Sequence, residues 1–231
     1  MSLTVDNIQS RVAAFVDQDE NTSNLSATDY SLRLSYLNRR ERTWSELGKW
    51  QCLYKEYNTL TSTASGNTTL SLPTDYRFLA SFPKITYDGV NTEEFLEVKG
   101  QEESQYDKAT ARYVKITGNG NTGYTMTINP TTASGHLTSG ASIFVSYYSA
   151  PASLASPADS VSCPNPDYLI QGVIADIWEA REDSRYQQAK IEANLILKNM
   201  LEFETTPSIA AADDRVKTIE ETKYSFRIGR D

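Results

Sequence analysis

The chain has 231 residues, enough to bury a sizeable core as one large or two small domains. Its 30 Asp plus Glu against 22 Lys plus Arg give a net charge of −8, which excludes tight phosphate gripping but not an acidic wall that DNA slides past. Its two cysteines, Cys52 and Cys163, lie far apart with no CxxC spacing, and its one histidine leaves little for a transition-metal site, so a disulfide framework, a zinc centre and a cofactor are not expected.

The opening stretch MSLTVDNIQSRVAAFVDQDE has no basic region leading into an apolar one, and no apolar run approaches membrane-spanning length, so neither a signal peptide nor a membrane partner is expected. Helical spacing of Val5, Ile8, Val12 and Phe15 predicts a first helix over 4–16. A second helical pattern runs from Asp29 to Tyr57, with Tyr30, Leu34, Leu37, Trp44 and Leu47 on its stripe, Ser26 or Thr28 as its cap, and Gly48 as a bend or end. The run NRRER (Asn38 to Arg42) reads first as a solvated face, with Arg39, Arg40 and Arg42 as partner-contact candidates.

From Tyr57 the pattern changes to Thr-rich alternation. Asp88-Gly89 marks a hairpin, and 112–117, 124–129 and 142–148 alternate with period two. Their inner face is expected to hold Val114, Ile116, Tyr124, Met126, Ile128 and one alternating set of IFVSYY, giving about five or six antiparallel strands in a small sandwich or half-barrel. The tract after Tyr148, rich in Ser, Ala and Pro, is an extended connection over 149–166, and Pro166 and Asp167 suit a helix start. Leu169, Ile170, Val173, Ile174, Ile177 and Trp178 form a broad apolar face. After a break at Glu182-Asp183-Ser184 a further helix carries Tyr186, Ala189, Ala193, Ile196, Met200 and Phe203 and stops at Thr206-Pro207. The fold class is therefore α+β: a helical body from 1–57 and 164–220, a β-rich domain over 58–150 and an extended tail over 221–231.

No catalytic constellation stands above background. GNGNTG (Gly118 to Gly123) lacks the Lys-Ser/Thr of a phosphate cradle and reads as a hairpin loop. His136 lies in a loop pattern with no identifiable partner. The adjacent acids Glu93-Glu94, Glu102-Glu103, Glu182-Asp183 and Asp213-Asp214 read as solvated surface, so catalytic and metal residues are none. Trp44 and Trp178 sit on apolar faces and read as packing residues, whereas spacing does not decide Trp50.

Taken whole, four passages carry a likeness: SYLNRRERTWSELGKW; LSLPTDYRFLASF; YTMTINP with SIFVSYYSAP; and PDYLIQGVIADIWEAREDSRYQQAKIEANLILKNM. Over roughly Leu32 to Phe203 the chain resembles the head-to-tail adaptor (connector or head-completion) proteins of tailed bacteriophages, including the tail-tubular adaptors of short-tailed phages. The resemblance implies a structural, non-enzymatic virion protein made in the host cytoplasm and placed at the head–tail interface. It implies a dodecameric ring docked on the portal, a channel through which DNA passes without specific binding, and a platform for the next neck or tail protein. It also implies a helical bundle bearing a β-rich domain. On this reading Arg39, Arg40 and Arg42 contact a neighbour or the portal, Ile174 and Trp178 anchor helix packing, and Phe226, Arg227 and Arg230 engage a partner through the tail. The alternative is a fibre or baseplate module whose Tyr/Thr-rich β-region binds carbohydrate.

Overall fold

A computed structural model describes residues 3–19, 21–61, 69–86, 92–98, 112–128 and 142–205; side chains of 57–61 and 204–205 are outside it. The fold is α+β, with helices toward both ends and antiparallel-rich sheets in the middle of the chain. It divides into two compact units, Met1–Val5 with Asn38–Pro164, and Asp6–Leu37 with Asn165–Asp231.

The helical unit contains most of α1 (Val5–Val16), the start of α2 (Ala27–Leu47), α3 (Pro166–Ala180) and α4 (Tyr186–Thr205). Ser26 caps α2, its hydroxyl accepting the Asp29 amide at 3.1 Å while donating to the Asp29 carboxylate at 2.6 Å. Asn165 caps α3 by accepting the Asp167 amide, with Pro166 in the first turn, where a missing N–H costs nothing. Tyr168 through Ile170 and Gly172 through Ile177 are buried, and Ala189 and Ala193, four residues apart, let α4 close on α3. The turn between these helices is a built one. Asp183 accepts the Arg185 amide at 2.9 Å and grips its guanidinium through both oxygens, which holds the carboxyl down at about 2. Glu182 before it takes φ 56°, a left-handed position uncommon for a side-chain-bearing residue.

The β unit holds nine strands among the described residues: β1 (Tyr54–Thr61), β2 (Thr69–Ser71), β3 (Tyr76–Leu79), β4 (Lys84–Thr86), β5 (Thr92–Glu94), β6 (Leu96–Glu97), β7 (Tyr113–Asn119), β8 (Gly123–Ile128) and β9 (Ser142–Ser149). In the first sheet β9 is central, pairing with β1 on one side and with β3 and β4 on the other, and β5 extends β4. The second runs β2-β8-β7-β6; its β6–β7 pair is parallel, a departure from the all-antiparallel expectation. The sheets share one core in which Ile143, Val145 and Tyr147 from β9 meet Val114, Met126 and Ile128 from the second sheet, with Tyr76, Ile85 and Phe95 around them. Burial pushes the Tyr76 hydroxyl pKa well above its usual range, aided by the Glu97 charge.

Several expectations about the second helical pattern change. Its helix stops at Leu47, before Gly48; a 3-10 turn over Gln51–Leu53 follows, and Tyr54–Tyr57 belong to β1. Trp50 is fully buried, stacked on Trp44 with ring centroids 5.0 Å apart, and its indole N–H donates to the Trp44 carbonyl at 2.9 Å, which closes the helix end. The charged run is not one solvated face, because Glu41 is buried with Leu37, Trp44 and Ser45 while Arg39 and Arg42 are exposed. Phe15, Leu47 and Phe203, placed on inner stripes by spacing, are exposed, and Trp178 is half-buried.

Residues 150–163 contain no helix and only an isolated bridge at Ser160. Asn38 brackets this segment, accepting the Leu154 amide at 2.8 Å and donating to the Leu154 carbonyl at 2.9 Å. Glu41 accepts the Ser162 amide. The first residues of the chain lie alongside, Val5 N–H donating to Asp159 at 2.9 Å and Val161 N–H to Leu3 at 3.2 Å. Leu154, Val161 and Cys163 turn inward.

Burial raises the Glu41 pKa above 4.5, against the Ser162 and Cys163 hydrogen bonds that favour its charge. The folded state thus holds this proton more tightly than the unfolded chain, so the Glu41 contribution to stability declines as pH rises from 4.5 through the raised folded value. Denaturation of wild type and Glu41→Gln across that window is expected to show the decline in wild type only, and a pH-independent difference between them contradicts it. Glu41→Ala, which strips the Ser162 amide of its acceptor, is expected to cost about 1–3 kcal/mol. Near the end of β7, Gly118 has φ 115° and an added Cβ would run into the Gly123 carbonyl oxygen across the hairpin. Gly118→Ala is expected to destabilise by about 1–3 kcal/mol in a urea titration, and an unchanged midpoint would refute the strained turn.

Candidate interaction surfaces

The arginines singled out by sequence are placed differently by the helix. Arg39 and Arg42 are exposed, three residues apart on α2, and Arg40 is half-buried. Ile174 is buried in α3 and belongs to the packing of the helical unit. Trp178 lies one turn further, with the Arg185 guanidinium 4.6 Å over its ring. Its indole nitrogen is buried and has no hydrogen-bond partner among the described residues. Asp183 holds Arg185 in that stacked position, so the α3–α4 turn and the Trp178 face form one pre-set surface. Phe226, Arg227 and Arg230 lie outside the described residues.

Two surfaces were not read from sequence. The first is a groove of about 360 Å³ in the helical unit, lined by Phe15 on α1, Ile170 on α3, and Glu192, Leu195 and Ile196 on α4. Phe15 is 57% exposed, Ile191 62% and Leu195 57%, values unlike those of core positions. On the rim, Arg11 and Asp167 pair at 3.7 Å. The available signal was the apolar surplus of α4: Ile191 and Leu195, four residues apart, fall off the stripe that includes Ala189, Ala193 and Met200.

The second is the outer face of the first sheet, where Phe82 and Phe144 are exposed and line a cleft with Tyr54, Glu56, Lys84 and Ser146. Tyr148 crosses Tyr54 edge-on at 5.9 Å and lies 5.1 Å from Phe78, fixing the rings. On the adjoining part of the sheet, burial opposes ionisation of Asp75, but hydrogen bonds from Lys55 and Tyr147 outweigh it and hold its pKa down. Alternation in SIFVSYY assigns Phe144 and Tyr148 to one face. It does not say which face looks outward.

Those candidate chemical motifs that fall among the described residues have structural partners. Gly118 to Gly123 closes the β7–β8 hairpin, with the Asn119 side chain accepting the amides of Asn121 and Thr122 at 2.9 and 3.0 Å. Glu93 pairs with Arg112 at 2.7 Å, Glu94 with Lys84 at 3.4 Å and Asp183 with Arg185, so these acids hold neighbouring elements. Asp88-Gly89, His136, Glu102-Glu103 and Asp213-Asp214 lie outside the described residues. Among the described residues no cluster of His, Cys, Asp and Glu could hold a metal ion, and no helix is long and apolar enough to cross a membrane.

What the geometry offers is therefore fixed surface, apolar and aromatic, on each unit. No curated protein matches the chain. A family model described as SU10 adaptor protein matches residues 3–214, nearly the whole chain, in agreement with the resemblance to phage head-to-tail adaptors read from the four passages above. The chain thus belongs to the SU10 adaptor protein family and is a structural adaptor of the phage particle.

Proposed function

We propose that the chain is a ring-forming head-to-tail adaptor that docks on the portal, extends the DNA channel and presents a platform to the next neck or tail component. The observation that carries this reading is the family match over 3–214, which takes in both compact units rather than one module. A cyclic ring needs two different faces on every subunit, and the exposed apolar groove and the exposed arginines of α2 are such faces. The net charge of −8 suits a channel past which a polyanion slides, since clustered Lys and Arg would retain phosphates. The role is positional and not enzymatic, and the place of action is the head–tail interface after synthesis in the host cytoplasm.

In this reading the ring is dodecameric. Arg39, Arg40 and Arg42 make charged contacts across subunits or to the portal, Ile174 and Trp178 keep α3 in shape for those contacts, and the tail bearing Phe226, Arg227 and Arg230 engages the portal. The aromatic outer face of the first sheet serves the tail-side partner.

The mass of the full chain, measured alone and with its portal, tests the assembly. Closed rings, free or formed on the portal, are expected; a monomer or trimer under both conditions, together with measurable glycan affinity, sinks the adaptor-ring reading in favour of a carbohydrate-binding module. Truncation after Glu221 is expected to weaken portal capture while the thermal melt stays unchanged, and undiminished capture removes the tail from the contact.

A further inference from the structure

The helical groove has the chemistry of an arginine receptor. Phe15, Leu195 and Ile196 line it with apolar surface, the buried Ile170 lies among them, and Glu192 supplies a carboxylate. Of the three charged residues lining it, Arg11 and Asp167 pair with one another. Glu192 is half-buried, accepts a hydrogen bond from Gln188 at 2.7 Å, and has no cationic partner among the described residues. A half-buried carboxylate beside exposed apolar side chains calls for a partner with a long apolar stem and a charged fork. Arginine matches this better than lysine, because its methylenes lie along apolar walls, its planar head binds a carboxylate through two N–H groups, and its face stacks on an aromatic ring such as Phe15.

Arg42 on α2 is the complementary group. It is exposed and has no carboxylate partner among the described residues, and its carbonyl accepts the Ser45 hydroxyl at 2.6 Å, inside an ordered helical turn. We propose that Arg42 of one copy enters the α1/α3/α4 groove of the next, its guanidinium on Glu192 and its stem against Leu195 and Phe15. Donor and receptor lie on different parts of the chain, so each copy gives one arginine and receives one, as the head-to-tail contact of a ring requires. This rests on the ring-forming reading above and specifies its contact.

The test uses the full chain carrying Arg42→Glu, Glu192→Arg or both, with Glu192→Gln as a milder change, and reads oligomer mass over a concentration series with and without the portal. Circular dichroism and melting check folding; both positions are solvent-accessible, so the variants are expected to melt like wild type. Each single reversal is expected to raise the concentration for half-assembly by about tenfold or more, and the double reversal to restore it. Rings indifferent to both single reversals overturn this contact while leaving the adaptor reading intact, as does a double reversal that fails to rescue. Loss of portal capture by Glu192→Arg with undisturbed rings overturns it too, by assigning the groove to the portal. A wild-type chain that never forms rings, with portal or without, overturns the ring reading itself.

Discussion

Two side chains on one stretch of α2 hold a segment more than a hundred residues further along the chain. Asn38 brackets Leu154 across 116 positions, and Glu41 reaches Ser162 across 121. The segment they hold has no helix and no continuous ladder, so its peptide groups need partners supplied from elsewhere. Asn38 satisfies a donor and an acceptor of one residue, which fixes both position and register, while Leu154, Val161 and Cys163 provide the apolar burial that position allows. The path from β9 to the Asn165 cap of α3 depends on these ties, and so does the order of elements that the chain builds.

Polar ties recur in the helical unit beside its apolar core. Arg33 is buried and pairs with Asp17, and Arg181 reaches the same carboxylate at 3.4 Å. Removing one member of such a group leaves a buried charge uncompensated, a larger loss than the pair itself is worth. With polar groups spent on internal geometry, large apolar side chains such as Ile191 and Leu195 remain outside, available for contact with other chains. A protein whose task is to be built into an assembly requires that division of labour.

The sequence made the type and order of most elements legible, because the relevant signals are periodic. Alternation divided β9 into two sets, of which Ile143, Val145 and Tyr147 prove to be the inner one, and it placed Val114, Met126 and Ile128 on the inner face of the second sheet. Gly118 to Gly123 was recognisable as a hairpin from its turn residues. Burial of Glu41 and exposure of Phe15 were not legible, since hydropathy places charge outside and phenylalanine inside unless the packing partner is known. The short strands β2, β4, β5 and β6 have three residues or fewer, too few to show a period, and the parallel β6–β7 pairing is a tertiary fact with no local signature. Of the surfaces, the α2 arginines were visible as a charge run, but the helical groove draws on three helices and exists only after folding.

Among the described residues β1 is an edge strand of eight residues, paired only through β9, and its register with β9 slips between Tyr57 and Leu60. A long straight edge would template the addition of another copy, strand upon strand, into an open-ended fibre. The bulge breaks the spacing of donors and acceptors and adds local twist, so an incoming strand cannot match it over its length. The slip at Tyr57/Leu60 thus leaves this described edge a poor template for strand-upon-strand addition.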